Sequence, residues 1–143
     1  MSPIIRFDQV TVTALDKIIL SNISFPLLPG QKAALYGKSG AGKSSVLRTL
    51  MGLHTIQSGT VYFQGEPLTS LSVRIIRNCT AYIGQEPMLG AESVREALLL
   101  PFQFKAHRDH RPKENLLIDV LHRLRLSADI LNSKSSRISG GEK

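Results

Sequence analysis

The sequence has a single cysteine, no tryptophan and no apolar run that approaches the length of a membrane span. A transmembrane helix needs about 20 predominantly apolar residues, so a spanning segment is not expected. Because Cys79 has no second cysteine to pair with, no internal disulfide forms and a reducing compartment is expected. Residues 1–6 also lack the charged start and long apolar region of a secretory signal peptide. The length suits one domain that buries a core.

Acidic residues are the minority among the charges. Eleven Asp and Glu stand against 18 Lys and Arg, which gives a formal net charge of +7. Part of this excess is local, since Lys105, Arg108, Arg111 and Lys113 lie in one short run. The run has no aromatic residue for base stacking, so we expect no nucleic acid among the partners. A solvated loop between helices is the favoured interpretation of the run, and a binding patch is the alternative.

The sequence does contain a glycine-rich phosphate-binding pattern. Residues 37–44 match G-x-x-x-x-G-K-S, the P-loop. The glycines permit positive φ and close approach of the backbone, so that N–H groups converge on phosphate oxygens. Lys43 is predicted to reach the β- and γ-phosphates, and the Ser44 hydroxyl to bind Mg²⁺. The predicted nucleotide contacts are Gly37, Lys38, Ser39, Gly40, Ala41, Gly42, Lys43, Ser44 and Ser45.

The elements around the P-loop are predicted to be a strand and a helix. Residues 31–36 form the apolar run of a short buried strand, and residues 44–51 place apolar side chains on one helical face, namely Val46, Leu47, Leu50 and Met51. Further strands are expected over residues 4–10, 17–20, 23–27 and 80–83, with a break at Asn22 and a hairpin piece over residues 59–65. Residues 1–84 are therefore predicted to form a β-rich part that carries the P-loop.

Residues 85–137 change to a helical pattern. Ser93 and Glu96 have the spacing of a capping box at the start of a helix that Pro101 should end. A second helix is predicted over residues 113–126, and shorter ones over residues 72–78 and 128–131. The apolar face of the second helix consists of Leu116, Leu117, Val120, Leu121 and Leu124. The fold class is therefore α/β, with a β-rich part followed by a helical part.

Three motifs in this order resemble the nucleotide-binding domain of ABC transporters. Residues 37–44 match that family's Walker A motif, and Gln85 is similar to its Q-loop glutamine. Residues 138–142 are similar to its LSGGQ signature, with Ile138 in place of Leu and Glu142 in place of Gln. Within the family, the resemblance is strongest to a bacterial group of ATP-binding subunits assigned to iron export.

The resemblance implies a P-loop NTPase that binds ATP and Mg²⁺. In the complete protein, it implies hydrolysis of ATP to power transport through a membrane permease, and iron export is the expected transport process. Gln85 would sense the attacking water and Mg²⁺. Ser139, Gly140 and Gly141 would contact the γ-phosphate held by a second copy in a head-to-tail dimer. Such a subunit is cytoplasmic and peripheral on the inner face of the cell membrane, and residues 85–113 would meet the permease.

The sequence departs from the family pattern at two places. Val12 holds the place of the aromatic residue that stacks on adenine, so weak discrimination between ATP and GTP is expected. The family's Walker B aspartate and catalytic glutamate follow the signature, and residues 1–143 do not contain them. Glu86, beside Gln85, would be at best an outer-shell group. We therefore expect an incomplete ABC domain, with the signature at 138–143, that binds nucleotide without turning it over.

Two other function classes remain open at this point. One is a soluble ABC-type ATPase of translation or chromosome maintenance, which would share the same motifs. The other is a P-loop kinase or GTPase, for which the signature would be coincidental. The sequence has no N-K-x-D guanine-binding motif, which disfavours a GTPase.

Overall fold

The computed structural model describes residues 2–85, 88–105 and 107–143. The chain forms two compact units, Met1–Ala81 and Tyr82–Lys143. The first unit carries the strands, and the second is mainly helical. Within the described ranges, no helix combines the length and apolar character that crossing a bilayer requires. Glu86, which the sequence places beside Gln85, lies outside the described residues.

The first unit is built on a four-stranded antiparallel sheet. Its strands are β1 (Ile5–Ala14), β2 (Lys17–Leu27), β3 (Ile56–Phe63) and β4 (Glu66–Pro67), in the order β2-β1-β3-β4. Alternate residues of the paired strands point to one face, where apolar side chains form the core. That core consists of Phe7, Val10, Val12, Leu20, Val46 and Val61.

The register of the central strand β1 shifts near Gln9, which has a φ of 50°. On the partner strand, Asn22 also has a left-handed φ of 51°, and its N–H donates to Thr11 Oγ1 at 3.1 Å. The sequence predicted two strands interrupted at Asn22. The structure has one bent strand instead, because asparagine tolerates the left-handed conformation and pairing resumes on both sides of it.

Two helices complete the first unit: α1 (Lys43–Leu50) and α2 (Val73–Cys79). Helix α1 buries Val46 and Thr49, and the Thr49 hydroxyl donates to the Ser45 carbonyl oxygen at 2.7 Å. Leu47, which the sequence placed on the apolar face, is 45% exposed. The buried face of α1 is therefore centred on Val46 and Thr49.

Two predicted strands are not formed in the described structure. Residues 31–36, which lead to the P-loop, and residues 80–83, which lead to Gln85, lie outside the sheet. Tyr36 is 92% exposed and Ile83 is 82% exposed. A strand needs a neighbour for its N–H and C=O groups, and no described strand pairs with either run. Both strand predictions are therefore wrong for this structure, because the apolar pattern of a run does not supply its partner.

The second unit contains α3 (Val94–Leu99) and α4 (Glu114–Arg123), with 3₁₀ segments at Leu100–Gln103, Arg108–His110 and Ala128–Asn132. The predicted capping box is confirmed, since Ser93 and Glu96 exchange two hydrogen bonds of 3.2 Å. Pro101 does not end the helical path, which continues as the first 3₁₀ segment. The core of this unit consists of Val94, Leu117, Leu121, Ile130, Leu131 and Ile138.

Candidate phosphate-binding site

The P-loop packs against the sheet at Gly42, immediately before α1. Gly42 has a φ of 87°, and a Cβ atom there would lie 2.7 Å from the Ile19 carbonyl oxygen and 2.9 Å from Leu20 Cδ2. Only glycine fits both the left-handed backbone and this close approach. Gly42 therefore lets the loop lie against β2 and turn directly into the helix.

Lys43 folds back over the loop that precedes it. Its Nζ donates to the carbonyl oxygens of Gly37 and Lys38, each at 2.8 Å. An ammonium group has three donors, so these two bonds leave one for a further acceptor. The positive charge of Lys43 is thus held at the loop itself, where it can attract an anion.

The start of α1 adds donors to the same place. The first intrahelical bond runs from the Val46 N–H to the Gly42 carbonyl at 3.0 Å, so the N–H groups of residues 43–45 have no acceptor within the helix. No side chain caps this end, and its first turn has no acidic residue. The partial positive charge of the helix N-terminus is therefore uncompensated, which suits a phosphate group.

The residues present fit a Mg²⁺ ion that is held mainly by phosphate and water. Among the described residues, no group of three His, Cys, Asp or Glu side chains is placed to hold a metal. Mg²⁺ usually keeps several waters and takes one or two protein ligands together with phosphates. Ser44 is exposed beside Lys43 at the start of α1, and its hydroxyl suits the role of one such protein ligand. Gln85 is exposed at the start of the second unit.

An apolar cavity of about 410 Å³ lies between α1 and the sheet of the first unit. Its walls include Phe7, Phe25, Leu35 and Leu47, and Lys43 and Ser44 line it as well. These apolar walls cannot satisfy the oxygens of a phosphate, which need N–H donors or cations. We therefore assign the phosphate-binding role to the loop and the helix start, and not to this cavity.

Val12 does not fit its predicted role in contacting the base. Its side chain is fully buried, and it pairs with Leu20 and Ile56 inside the sheet. A buried side chain has no surface left for a ligand, so this prediction is corrected. The apolar side chains that are accessible to a ligand lie at the end of the β1–β2 hairpin, where Leu15 is 95% exposed and Ile18 is 65% exposed.

The signature residues form a turn in the second unit. Ile138 is buried in the core there, while Ser139, Gly140 and Gly141 are exposed. The Ser139 N–H donates to Glu142 Oε2 at 2.7 Å. Hydrogen bonding to Ser139 holds the pKa of the Glu142 carboxyl below its ordinary value, and the Ser139 side chain contributes more to this than its backbone.

The structure brings residues 37–45 together in one loop and helix start, and residues 139–142 together in one turn. Sequence reasoning missed the contact of Ile19 and Leu20 with Gly42, for which the sequence holds no signal. It also missed the bond between Ser139 and Glu142, although S-x-x-E is the spacing of a capping box.

Comparison with protein families and curated proteins gives several matches. The family model described as ABC transporter matches residues 20–143. The chain is 35% identical over 142 residues to the "Probable iron export ATP-binding protein FetA" of Escherichia coli (strain K12), which covers 99% of this chain and 62% of that protein. It is 37% identical over 99 residues to the "Mycobactin import ATP-binding/permease protein IrtB" of Mycolicibacterium smegmatis, over 69% of this chain and 17% of that protein.

Two solved structures have a similar fold over 99% of this chain. One is a bacterial Atm1-family ABC exporter with ATP bound, with a TM-score of 0.75, 24% identity and 26% of that chain covered. The other is CbiO1 from Clostridium perfringens, part of the ABC transporter complex CbiONQ, with a TM-score of 0.77, 18% identity and 59% of that chain covered. The chain thus spans less than two thirds of the length of these relatives.

Proposed function

The chain belongs to the ABC transporter family, and from that premise we propose that it is the ATP-binding part of a subunit that powers transport through a membrane permease. The observation that carries the proposal is the arrangement at the P-loop. The Lys43 ammonium lies over the loop, and the first-turn N–H groups of α1 have no acceptor in the helix. Both features favour the polyphosphate of a nucleotide.

Binding is proposed to begin with an exchange of partners at Lys43. The Nζ donors that hold the Gly37 and Lys38 carbonyls turn to the β- and γ-phosphate oxygens, which are stronger acceptors because they are charged. The N–H groups at the start of α1 bind the same phosphates. Ser44 would hold Mg²⁺, whose charge offsets that of the phosphates when it is bound. Gln85 would orient the water that attacks the γ-phosphate.

The signature turn is proposed to serve a second copy of the chain in a head-to-tail dimer. Gly140 and Gly141 lack positive φ, and a Cβ at either would meet no atom within 4 Å. The described parts of the chain therefore give no steric reason for glycine at these positions. A ligand that approaches the backbone closely gives such a reason, and the γ-phosphate bound by the partner copy is the ligand we propose.

The membrane side of the protein is proposed to lie along residues 85–113. Phe104 is 63% exposed, and Lys105, Arg108, Arg111 and Lys113 are basic. Near a membrane surface, each Lys or Arg contributes about 1 kcal/mol of attraction to anionic headgroups. We propose that this segment meets the permease on the cytoplasmic face of the membrane. Iron export is the proposed transport class, because the relative in Escherichia coli carries that description.

Calorimetric titration with MgATP, MgADP and AMP tests the proposed function. A site built around the β- and γ-phosphates should bind MgATP and MgADP and should bind AMP far more weakly, because AMP lacks both groups. Equal affinity for AMP and MgATP would mean that the P-loop does not dominate binding. Absence of MgATP binding would contradict the proposal altogether.

A further inference from the structure

The signature turn contains hydrogen bonds that its proposed role does not use. Besides the bond from the Ser139 N–H to Glu142, the Ser139 carbonyl accepts N–H bonds of 3.2 Å from both Glu142 and Lys143. The bond from Lys143 has the spacing of an α-helical hydrogen bond. Ser139 and Glu142 therefore form one half of a capping-box pattern, in which the carboxylate accepts the Ser139 N–H, while residues 140–142 form a turn.

The chain offers an internal reference for this motif at the start of α3. There the Ser93 N–H donates to Glu96 Oε2 at 3.2 Å, whereas the Ser139 N–H lies 2.7 Å from Glu142 Oε2. A short N–H···O distance is typical of a bond to an ionised carboxylate. The lowered pKa of Glu142 agrees with this, because the bonds from Ser139 favour the charged form.

The bond from Ser139 to Glu142 uses one N–H group of the turn and leaves two others without an acceptor in the described residues. Glu142 takes the Ser139 N–H, whereas the N–H groups of Gly140 and Gly141 donate to no acceptor within the described parts of the chain. Glycine loses more conformational freedom on ordering than any other residue, so ordering this pair costs conformational entropy. A clamp across the pair, from Ser139 to Glu142, lowers that cost before a ligand arrives.

We propose that Glu142 is a positioning residue, which holds the turn closed so that the Gly140 and Gly141 N–H groups are presented together to the γ-phosphate bound by a second copy. This inference rests on the proposed function of the signature turn. The competing effect of the carboxylate is electrostatic repulsion of the phosphate. The two effects predict opposite changes in affinity when the carboxylate is removed.

The test follows the backbone amide signals of isotope-labelled full chain by NMR while MgATP is added. In the Glu142→Ala variant, the Gly140 and Gly141 amides should move towards random-coil shifts before nucleotide is added. The apparent Kd for MgATP measured from these two amides should rise about fivefold, because the lost hydrogen bond contributes about 1 kcal/mol to holding the turn closed. Glu142→Gln should restore most of the affinity, because glutamine also accepts the N-cap N–H in capping boxes. Glu96→Gln alters the same motif at α3 and should leave both amides unchanged.

The P-loop amides of Gly37, Gly40 and Gly42 separate the possible failures in the same titration. If the P-loop amides respond to MgATP while the Gly140 and Gly141 signals are the same in wild type and Glu142→Ala, Glu142 is not a positioning residue and the proposed function stands. If the Gly140 and Gly141 signals never respond, the proposed role of the signature turn fails with this inference, and only the proposed ATP binding at the P-loop stands. Tighter binding by Glu142→Ala would also overturn the inference, in favour of repulsion. If the P-loop amides do not respond either, the proposed function fails and this inference with it.

Discussion

Gly42 and Ile19 approach each other so closely that a side chain on Gly42 would overlap the strand, with its Cβ 2.7 Å from the Ile19 carbonyl oxygen. This contact joins the phosphate-binding loop to the sheet. Ile19 lies at a register shift, between Ile18 and Leu20, which both pair with β1. These two pairs hold β2 in place on either side of Ile19, so we expect the loop to move when a side chain is added.

We therefore predict that Gly42→Ala displaces the P-loop and lowers MgATP affinity by tenfold or more. Gly40→Ala is the matched control, because Gly40 also has a left-handed φ, of 81°, but a Cβ there would meet no atom within 4 Å. Both variants lose about 1–2 kcal/mol of loop stability to backbone strain, so Gly42→Ala should weaken MgATP binding by about tenfold more than Gly40→Ala does. Calorimetric measurement of the MgATP affinity of both variants tests this difference. Equal losses would show that strain, and not the contact with Ile19, controls the loop.

Removal of the Lys43 ammonium should weaken MgATP binding strongly. Hydrogen bonds to charged groups are worth about 1.5–3 kcal/mol each, so Lys43→Ala should raise the Kd at least about tenfold. Lys32→Ala removes the same charge from an exposed position outside residues 37–45 and controls for net charge. An unchanged Kd for Lys43→Ala, measured by calorimetry, would refute the assignment of the loop.

The protein should discriminate only weakly between adenine and guanine nucleotides. Residues 14–18 at the end of the β1–β2 hairpin include no aromatic side chain, so ATP and GTP should bind with Kd values within about fivefold of each other. Ala14 follows Val12 by two residues on β1 and is exposed, so it lies on the same face beyond the core. Ala14→Tyr should add about 1 kcal/mol of stacking to either nucleotide, whereas Val12→Tyr should only disrupt the core.

Competition binding of ATP against GTP measures both effects. A strong preference of the wild type for ATP would show that another residue contacts the base. If Ala14→Tyr does not tighten binding, the hairpin end does not lie beside the nucleotide.

Gly59 should be essential for the stability of the first unit. A Cβ at Gly59 would overlap the carbonyl oxygens of Gln9 and Asp8, at the point where β1 changes register. Gly65 has a similar left-handed φ with open space around it. Gly59→Ala should therefore reduce the free energy of unfolding by several kcal/mol, and Gly65→Ala by only about 1–2 kcal/mol. Urea unfolding of both variants tests this, and equal losses would contradict a steric role for Gly59.

Family membership and the α/β fold were predictable from the sequence, and both are confirmed. The P-loop and the signature are recognised by residue identity over short, continuous stretches. The capping box at Ser93 was predictable for the same reason, because its donors and acceptors lie three residues apart.

The predictions that failed did so for different reasons. Residues 31–36 have the composition of a strand, but pairing requires a neighbour that the run itself does not encode. Val12 was placed by its position near the N-terminus, although its alternation with Thr11 and Thr13 already predicts a strand with one apolar face. The contact between Gly42 and Ile19 joins separate parts of the chain and could be seen only in the structure.

The bond between Ser139 and Glu142 should depend on pH. The pKa of Glu142 is lowered in the folded chain relative to its ordinary value of 4.5, through its bonds to Ser139. A lowered carboxyl pKa means that the bond stabilises the folded turn at pH values above 4.5. This stabilisation is lost as the pH falls through the lowered folded pKa, because the protonated carboxyl is a weaker acceptor. The Ser139 amide shift, followed by NMR in an acid titration, should therefore change with a midpoint below 4.5, and Glu142→Gln should abolish that step. A midpoint at or above 4.5 would mean that Ser139 does not favour the charged form, and the clamp across Gly140 and Gly141 would lose its physical basis.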